Sequence, residues 1–358
     1  MNIQKQLTIL IVIAVSLVSF LGGYLLTQPH SSMNAVVQEQ RGNLIDRFDG
    51  VATSSTPTPL PPGLFQASSD TVLAAVAAQD GEAALYYHTG GVSRVDLESR
   101  KTQTISQVAI PGLSNVIWSP DKNRVITLAR TSKGPGYAYF DYTTREHGTL
   151  GPNIISAVFS PDSRQIASAR NPGGDNGAIE TSDFNGQNPR TVLKTRLSNI
   201  KLYWPRSDLL AFSAADSDGG TESLYTLSLN GDLAQILSGV DRLSVRWALD
   251  GHAFIYSKQG ADGFSLSLFD IKSQQSILLS IATGAQTCAW SIDNVHVMCA
   301  SQTSGETSIV LINTNDQKTT TLFSHFIITP QEVFLSGLEK FLVIISSADH
   351  SLWAVKLP

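Results

Sequence analysis

The chain repeats itself every forty-odd residues, and a period of that size restricts the fold to stacked or radially arranged supersecondary units. SNVIWSPDKNRVITLA begins at Ser114 and ISAVFSPDSRQIASA at Ile155. NIKLYWPRSDLLAFSA follows at Asn199, LSVRWALDGHAFIYS at Leu243 and TCAWSIDNVHVMCAS at Thr287. A degenerate copy, QEVFLSGLEKFLVIISS, starts at Gln331. The anchoring aromatics are Trp118, Phe159, Trp204, Trp247 and Trp290, with Phe334 in the last copy, at spacings of 41 to 45 residues. One period before Trp118 lies TVLAAVAA, Thr71–Ala78, which makes seven units.

Each unit has one grammar. A short apolar strand ends in the aromatic, and a tight turn follows, typified by Ser119-Pro120-Asp121. Proline presets φ there and aspartate bonds the local backbone. A second strand returns, then come a Gly-rich loop, a third strand and a Thr- or Leu-rich fourth, such as KTQTIS or RTVLKT. Alternating apolar residues with frequent turn signals replace helical stripes. Four antiparallel strands in about 43 residues make one propeller blade. The predicted fold is therefore all-β, a seven-bladed β-propeller over residues 64–358, with Trp118, Phe159, Trp204, Trp247 and Trp290 packing the blades and Asp121, Asp162, Asp250 and Asp293 forming turns.

The aromatic-Ser-Pro-Asp turn followed by an apolar strand resembles the TolB-like, WD-repeat-like propeller repeat, over about residues 65–358. The same repeat serves many roles, so the resemblance implies a fold and no particular activity. Departures from it are plain: Pro205-Arg206-Ser207-Asp208 shifts the turn, Ala248-Leu249-Asp250 lacks the proline, and the last copy has no aspartate.

Upstream, Leu7 to Leu26 reads LTILIVIAVSLVSFLGGYLL without a charge. Twenty helical residues span roughly 30 Å, a hydrocarbon core's thickness. A cleaved signal would have a shorter apolar region and a small-residue cleavage site, which QPHSS after Thr27 does not offer. Residues 7–27 are thus expected to be an uncleaved transmembrane signal anchor, with residues 1–6 cytoplasmic. Residues 28–63 read as a tether. Pro57, Pro59, Pro61 and Pro62 favour extended polyproline II there, and Ala35–Phe48 has the makings of a short amphipathic helix weakened by Gly42. The positive-inside bias is slight, since Lys5 and the α-amine face only Arg41 across the segment.

The chemistry is harder to locate. No G-x-S-x-G pentad occurs, and the seven histidines show no H-x-x-x-H spacing. Charged residues make up 15% of the chain and its net charge is -5, which gives no basic footprint for nucleic acid. Two acidic, glycine-flexible loops, Asn171–Gly177 with Asp175 and Ala215–Glu222 with Asp216, Asp218 and Glu222, connect the second and third strands of their units. Asp262 and Glu306 occupy the matching loops of the next two, so all open on one face, the candidate binding face. Asp216 and Asp218 loosely resemble a calcium loop but lack its full ligand set, and a solvated turn is the simpler reading. No cofactor or metal is expected. Basic residues in these loops are sparse (Lys133, Arg170, Lys258), which favours a monomeric module binding a protein or cell-envelope glycan over a propeller lyase or glycan hydrolase.

Two expectations concern covalent and topological closure. The last unit supplies three strands only, so Leu64–Ala67 is expected to donate the fourth. Cys288 and Cys299 are the only cysteines, and a turn centred on Asp293-Asn294 places them directly opposite each other. Opposed residues in antiparallel strands lie within disulfide reach. Such a bond belongs to oxidising compartments, and it places residues 28–358 outside the cytoplasm.

Overall fold

The computed structural model describes residues 63–358, apart from 133, 217–219, 262 and 304. Residues 1–6, the expected anchor 7–27 and the tether up to 62 lie outside the described residues, as do Lys133, Asp218 and Asp262. No helix among the described residues is long and apolar enough to cross a membrane.

Among the described residues, twenty-eight strands form seven four-stranded antiparallel sheets, one per repeat. Strand β1 (Leu64–Ser68) belongs to the last blade. The first blade is β2 (Val72–Ala77), β3 (Ala83–His88), β4 (Gly91–Asp96) and β5 (Thr102–Ser106). The second is β6 (Leu113–Trp118), β7 (Arg124–Thr131), β8 (Gly134–Asp141) and β9 (His147–Thr149). The third is β10 (Ile154–Phe159), β11 (Gln165–Arg170), β12 (Gly177–Asp183) and β13 (Arg190–Thr195). The fourth is β14 (Ile200–Arg206), β15 (Leu209–Ala215), β16 (Thr221–Ser228) and β17 (Leu233–Asp241). The fifth is β18 (Ser244–Trp247), β19 (Ala253–Gly260), β20 (Gly263–Asp270) and β21 (Gln275–Leu278). The sixth is β22 (Cys288–Trp290), β23 (His296–Thr303), β24 (Glu306–Asn313) and β25 (Thr319–Phe326), entered through a 3-10 turn at Ala285–Thr287. The seventh is β26 (Pro330–Leu335), β27 (Phe341–Ser346), β28 (Leu352–Lys356) and β1.

The core follows from this layout. Each blade is sandwiched between two others, so its second strand is apolar on both faces; in β27 every residue from Phe341 to Ser346 is buried. Apolar side chains gather in seven clusters, each drawn from two neighbouring blades. Ala167, Ala169 and Ile179 of the third blade meet Trp204, Leu210 and Phe212 of the fourth. Full burial of such side chains stabilises by about 1.5–3 kcal/mol each. The outer strands carry little of this, and most of Thr102–Ser106 is exposed.

The Ser-Pro-Asp turn works through its side chains. Ser119 Oγ donates to Asp121 Oδ1 at 2.6 Å and accepts from the Arg124 N–H, while Asp121 Oδ1 also takes the Asn123 N–H at 3.1 Å. Ser160 and Asp162 repeat the arrangement in the third blade. The fourth turn residue has positive φ in Lys122, Ser163, Asn294 and Glu339. Glycine takes that place in the fifth blade, and it must: a Cβ on Gly251 would lie 2.6 Å from the Pro205 carbonyl oxygen of the fourth blade. In the fourth blade itself the shifted sequence shortens the turn to Ser207-Asp208, with Arg206 pairing Leu209.

Ring closure is as expected. Strand β1 pairs β28, Leu64 with Val355 and Phe65 with Ala354, so the seventh blade takes one strand from the beginning and three from the end of the propeller. The cysteine register is also as read: Cys288 opposes Cys299, Ala289 opposes Met298 and Trp290 opposes Val297. A disulfide joins Cys288 to Cys299, with Cα atoms 4.0 Å apart and both side chains fully buried.

Candidate functional site

The first strands of the blades line the central channel, and in three of them charged residues interrupt an otherwise apolar or neutral sequence. Lys201 lies on β14, Arg246 on β18 and Glu332 on β26. Arg246 crosses between blades. Its Nη2 donates to the Gln286 and Val333 carbonyl oxygens, both at 3.1 Å, and pairs with Glu332 Oε1 at 3.4 Å. One guanidinium nitrogen thus ties the fifth blade to the sixth and seventh.

Three cavities follow the channel. The middle one, about 450 Å³, is lined by Lys201, Tyr203, Trp204, Arg246, Trp247 and Glu332, among others. A larger one of about 660 Å³ shares Lys201 and opens beside the second-to-third-strand loops, between Leu128, Pro135, Tyr137, Ile155, Glu222 and Leu243. The third, about 370 Å³, shares Arg246, Trp247 and Glu332 and opens among the first-to-second-strand turns. Lys122 stands at that mouth with Leu249 and Ile292.

Confinement shapes the electrostatics. The Lys201 side chain is solvent-accessible, yet the surrounding walls partly desolvate its ammonium and lower it below the usual lysine range. Glu222 and Glu332 oppose the shift and Arg246 adds to it. Burial likewise lowers Lys122, against the pull of Asp121, and raises Tyr203 well above the ordinary phenol range. The Lys201 ammonium lies 5.5 Å from the Tyr203 ring centre and has no hydrogen-bond or ion-pair partner among the described residues.

The aromatics and loop carboxylates are placed as follows. Trp118, Phe159, Trp204, Trp247 and Trp290 each pack in an interblade cluster, and Trp204 and Trp247 also wall the channel. Trp290 Nε1 donates to the Arg246 carbonyl oxygen at 3.0 Å, whereas the indole nitrogens of Trp118, Trp204 and Trp247 are buried without an acceptor. Asp175 pairs with Arg196 at 3.1 Å, and Glu306 with His325. Asp216 accepts from Thr221 Oγ1 at 2.6 Å and Ser223 Oγ at 2.7 Å, bonds that hold its carboxyl below the usual range. The structure therefore separates the loop carboxylates: Glu222 reaches the channel cavity, while Asp175, Asp216 and Glu306 are engaged locally. No group of three or more His, Cys, Asp or Glu is placed to hold a metal ion among the described residues.

Sequence reasoning missed Lys201, Arg246 and Glu332. The available signal was a charge inside first strands whose other copies read VIW, AVF or AW.

No family model matches the chain, and no curated protein matches it. Solved structures do. An oligogalacturonate lyase in complex with manganese superposes with a TM-score of 0.60 at 12% identity, over 82% of this chain and 93% of the other. A Kuenenia stuttgartiensis hydrazine synthase gives 0.58 at 12%, over 86% and 98%. The propeller domain of the Trilobed protease from Pyrococcus furiosus, described as having an open velcro topology, gives 0.55 at 12%, over 79% and 94%. At these identities the likeness is one of fold, a fold shared with 1160 solved chains and so silent about role. The chain is a seven-bladed β-propeller with four-stranded blades. Its ring, unlike an open one, is closed by β1.

Proposed function

We propose that this propeller is an extracytoplasmic binding or scaffold module of the cell envelope, tethered by residues 7–27 with its N-terminus inside, and that it takes a protein or glycan partner. The observation that carries the reading is the buried Cys288–Cys299 disulfide, because such bonds persist in oxidising compartments and are rare in the cytosol. The uncharged run Leu7–Leu26 supports attachment to a bilayer. Binding is favoured over acid–base chemistry by how the channel charges are used: Arg246 and Glu332 pair with each other and with backbone across three blades. The test joins topology to capture. An impermeant maleimide applied to intact cells should label a cysteine placed at exposed Ser99 in the full-length chain, and a photo-crosslinker at the channel mouth should trap one partner reproducibly. Labelling only after lysis would overturn the placement.

A propeller lyase is the second reading, favoured by the two oligogalacturonate lyases among the similar folds. Incubation with polygalacturonate, followed by ultraviolet absorbance of unsaturated chain ends, separates the two.

A further inference from the structure

The charges lining the middle cavity do not balance, although Glu222 acts on Lys201 from the adjoining outer cavity. Lys201 and Arg246 face a single carboxylate, Glu332, in the middle cavity, and Glu332 is matched to Arg246 Nη2. Arg246 Nε and Nη1 and the Lys201 ammonium have no hydrogen-bond or ion-pair partner among the described residues. Unused donors on two cations in a confined space favour an anion, and a guanidinium fork suits a planar carboxylate.

The shape of the channel limits what carries that carboxylate. Arg246 spans from the fifth blade to the seventh, and the middle cavity, about 450 Å³, has the size for a chain end or a small molecule rather than a globular surface. The route with the most room is the outer cavity that shares Lys201. Its walls include Leu128, Pro135, Ile155 and Leu243, aliphatic groups that suit apolar side chains better than a hydroxyl-rich sugar. Glu222 on the same wall offers an acceptor for backbone N–H groups behind a terminal carboxylate. The loop carboxylate Asp175 is paired with Arg196, which reduces its repulsion of an incoming anion.

We propose that the middle cavity receives the C-terminal carboxylate of a polypeptide whose last residues are apolar, with Lys201 and Arg246 as the anion-binding pair. This rests on the binding reading above and names its ligand. The confinement that lowers the Lys201 ammonium acts in the same sense, since a bound anion restores its charged form.

Full-length protein in detergent micelles should be titrated with acetyl-Leu-Val-Ala as the free acid and as the amide. The readout is the fluorescence of Trp204 and Trp247 in the cavity wall. The free acid should bind saturably and the amide at least about tenfold more weakly, the scale of one lost charge-assisted contact. Lys201→Met should weaken the acid by a similar factor while leaving the melting temperature unchanged. Inorganic phosphate and galacturonic acid should bind more weakly than the peptide acid. Equal binding of acid and amide, indifference to Lys201→Met, tighter binding of phosphate or galacturonate, or no saturable binding would each overturn the proposal. A partner cross-linked equally well by wild type and Lys201→Met would move binding to the loop face, leaving the envelope module intact.

Discussion

Ser163 accepts a hydrogen bond from the backbone N–H of Asp121, at 3.0 Å, across the boundary between the third and second blades. The contact recurs around the ring with different chemistry. Asn294 takes the Asp250 N–H at 3.1 Å, and Glu339 takes the Ile292 N–H at 2.6 Å and the Ser291 hydroxyl at 2.9 Å. In each case the acceptor is the fourth turn residue, whose positive φ turns its side chain back toward the preceding blade. The turns thus form a chain of interblade bonds on one face.

Ser163→Ala is therefore expected to destabilise by about 1–2 kcal/mol, since it leaves a partly buried N–H without its acceptor. Ser163→Gly should cost less, because glycine takes the left-handed conformation without the roughly 1–2 kcal/mol that an L side chain meets there. Urea denaturation of the three proteins checks the order. An alanine variant as stable as wild type would show that the turn contacts are incidental.

Strand β1 should be required for a stable ring. Phe65 packs edge-on against Phe341 with centroids 6.1 Å apart, and the Arg100 guanidinium of the first blade covers it at 4.2 Å. Phe65→Ala is expected to cost about 3–5 kcal/mol. A chain starting at Ser69 should melt lower and aggregate more than one starting at Pro61, as an open sheet edge predicts. Matching melting curves would sink the expectation.

The disulfide encloses a separation of 11 residues, short enough that its contribution is modest, about 2–3 kcal/mol. Peptide mapping without reductant should return one linked peptide. The unreduced protein should resist alkylation even when denatured, because a disulfide presents no thiol. The double variant Cys288→Ala/Cys299→Ala should fold with a lower midpoint and a denaturant slope no smaller than that of the wild type, since its unfolded chain is less constrained.

Acid should loosen the sixth blade's turn. Desolvation pushes the Asp293 carboxyl up, but hydrogen bonds from the His296 ring and from the His296 and Val295 N–H groups, with the charge of His296, hold it at about 2. A depressed folded-state value means its stabilisation is complete above the unfolded value near 3.9 and is lost as pH falls from about 4 to 2. Asp293 is 44% exposed, so screening limits the effect to about 1 kcal/mol. Asp293→Asn should flatten the stability curve over that interval. An identical acid limb in both proteins would refute the assignment.

The fold was legible because its signals recur. Trp118, Phe159, Trp204, Trp247 and Trp290 fix the phase of the repeat, and the first blade was found by counting back although it has no aromatic at that place. The disulfide register was legible because hairpin pairing is local arithmetic. The channel was not. Arg246 and Glu332 are 86 residues apart and meet only because alternate blades face the same axis. Asp216 was misleading for the opposite reason: its acidity looked available to a ligand, but Thr221 and Ser223, five and seven residues on, occupy both its oxygens.

The pairing of β1 with β28 also sets a timetable. Leu64 and Val355 are neighbours in the sheet yet 291 residues apart in the chain, so the earliest strand made waits for the latest. At about 5–20 residues per second of synthesis, that wait lasts roughly 15–60 s. Throughout it, Leu64 and Phe65 have no β28 to pair with, and the first blade has no seventh to lean on. The nascent protein is therefore most exposed to misassembly during its own synthesis, and a factor that shelters one short apolar strand for about a minute would guard the step on which ring closure depends.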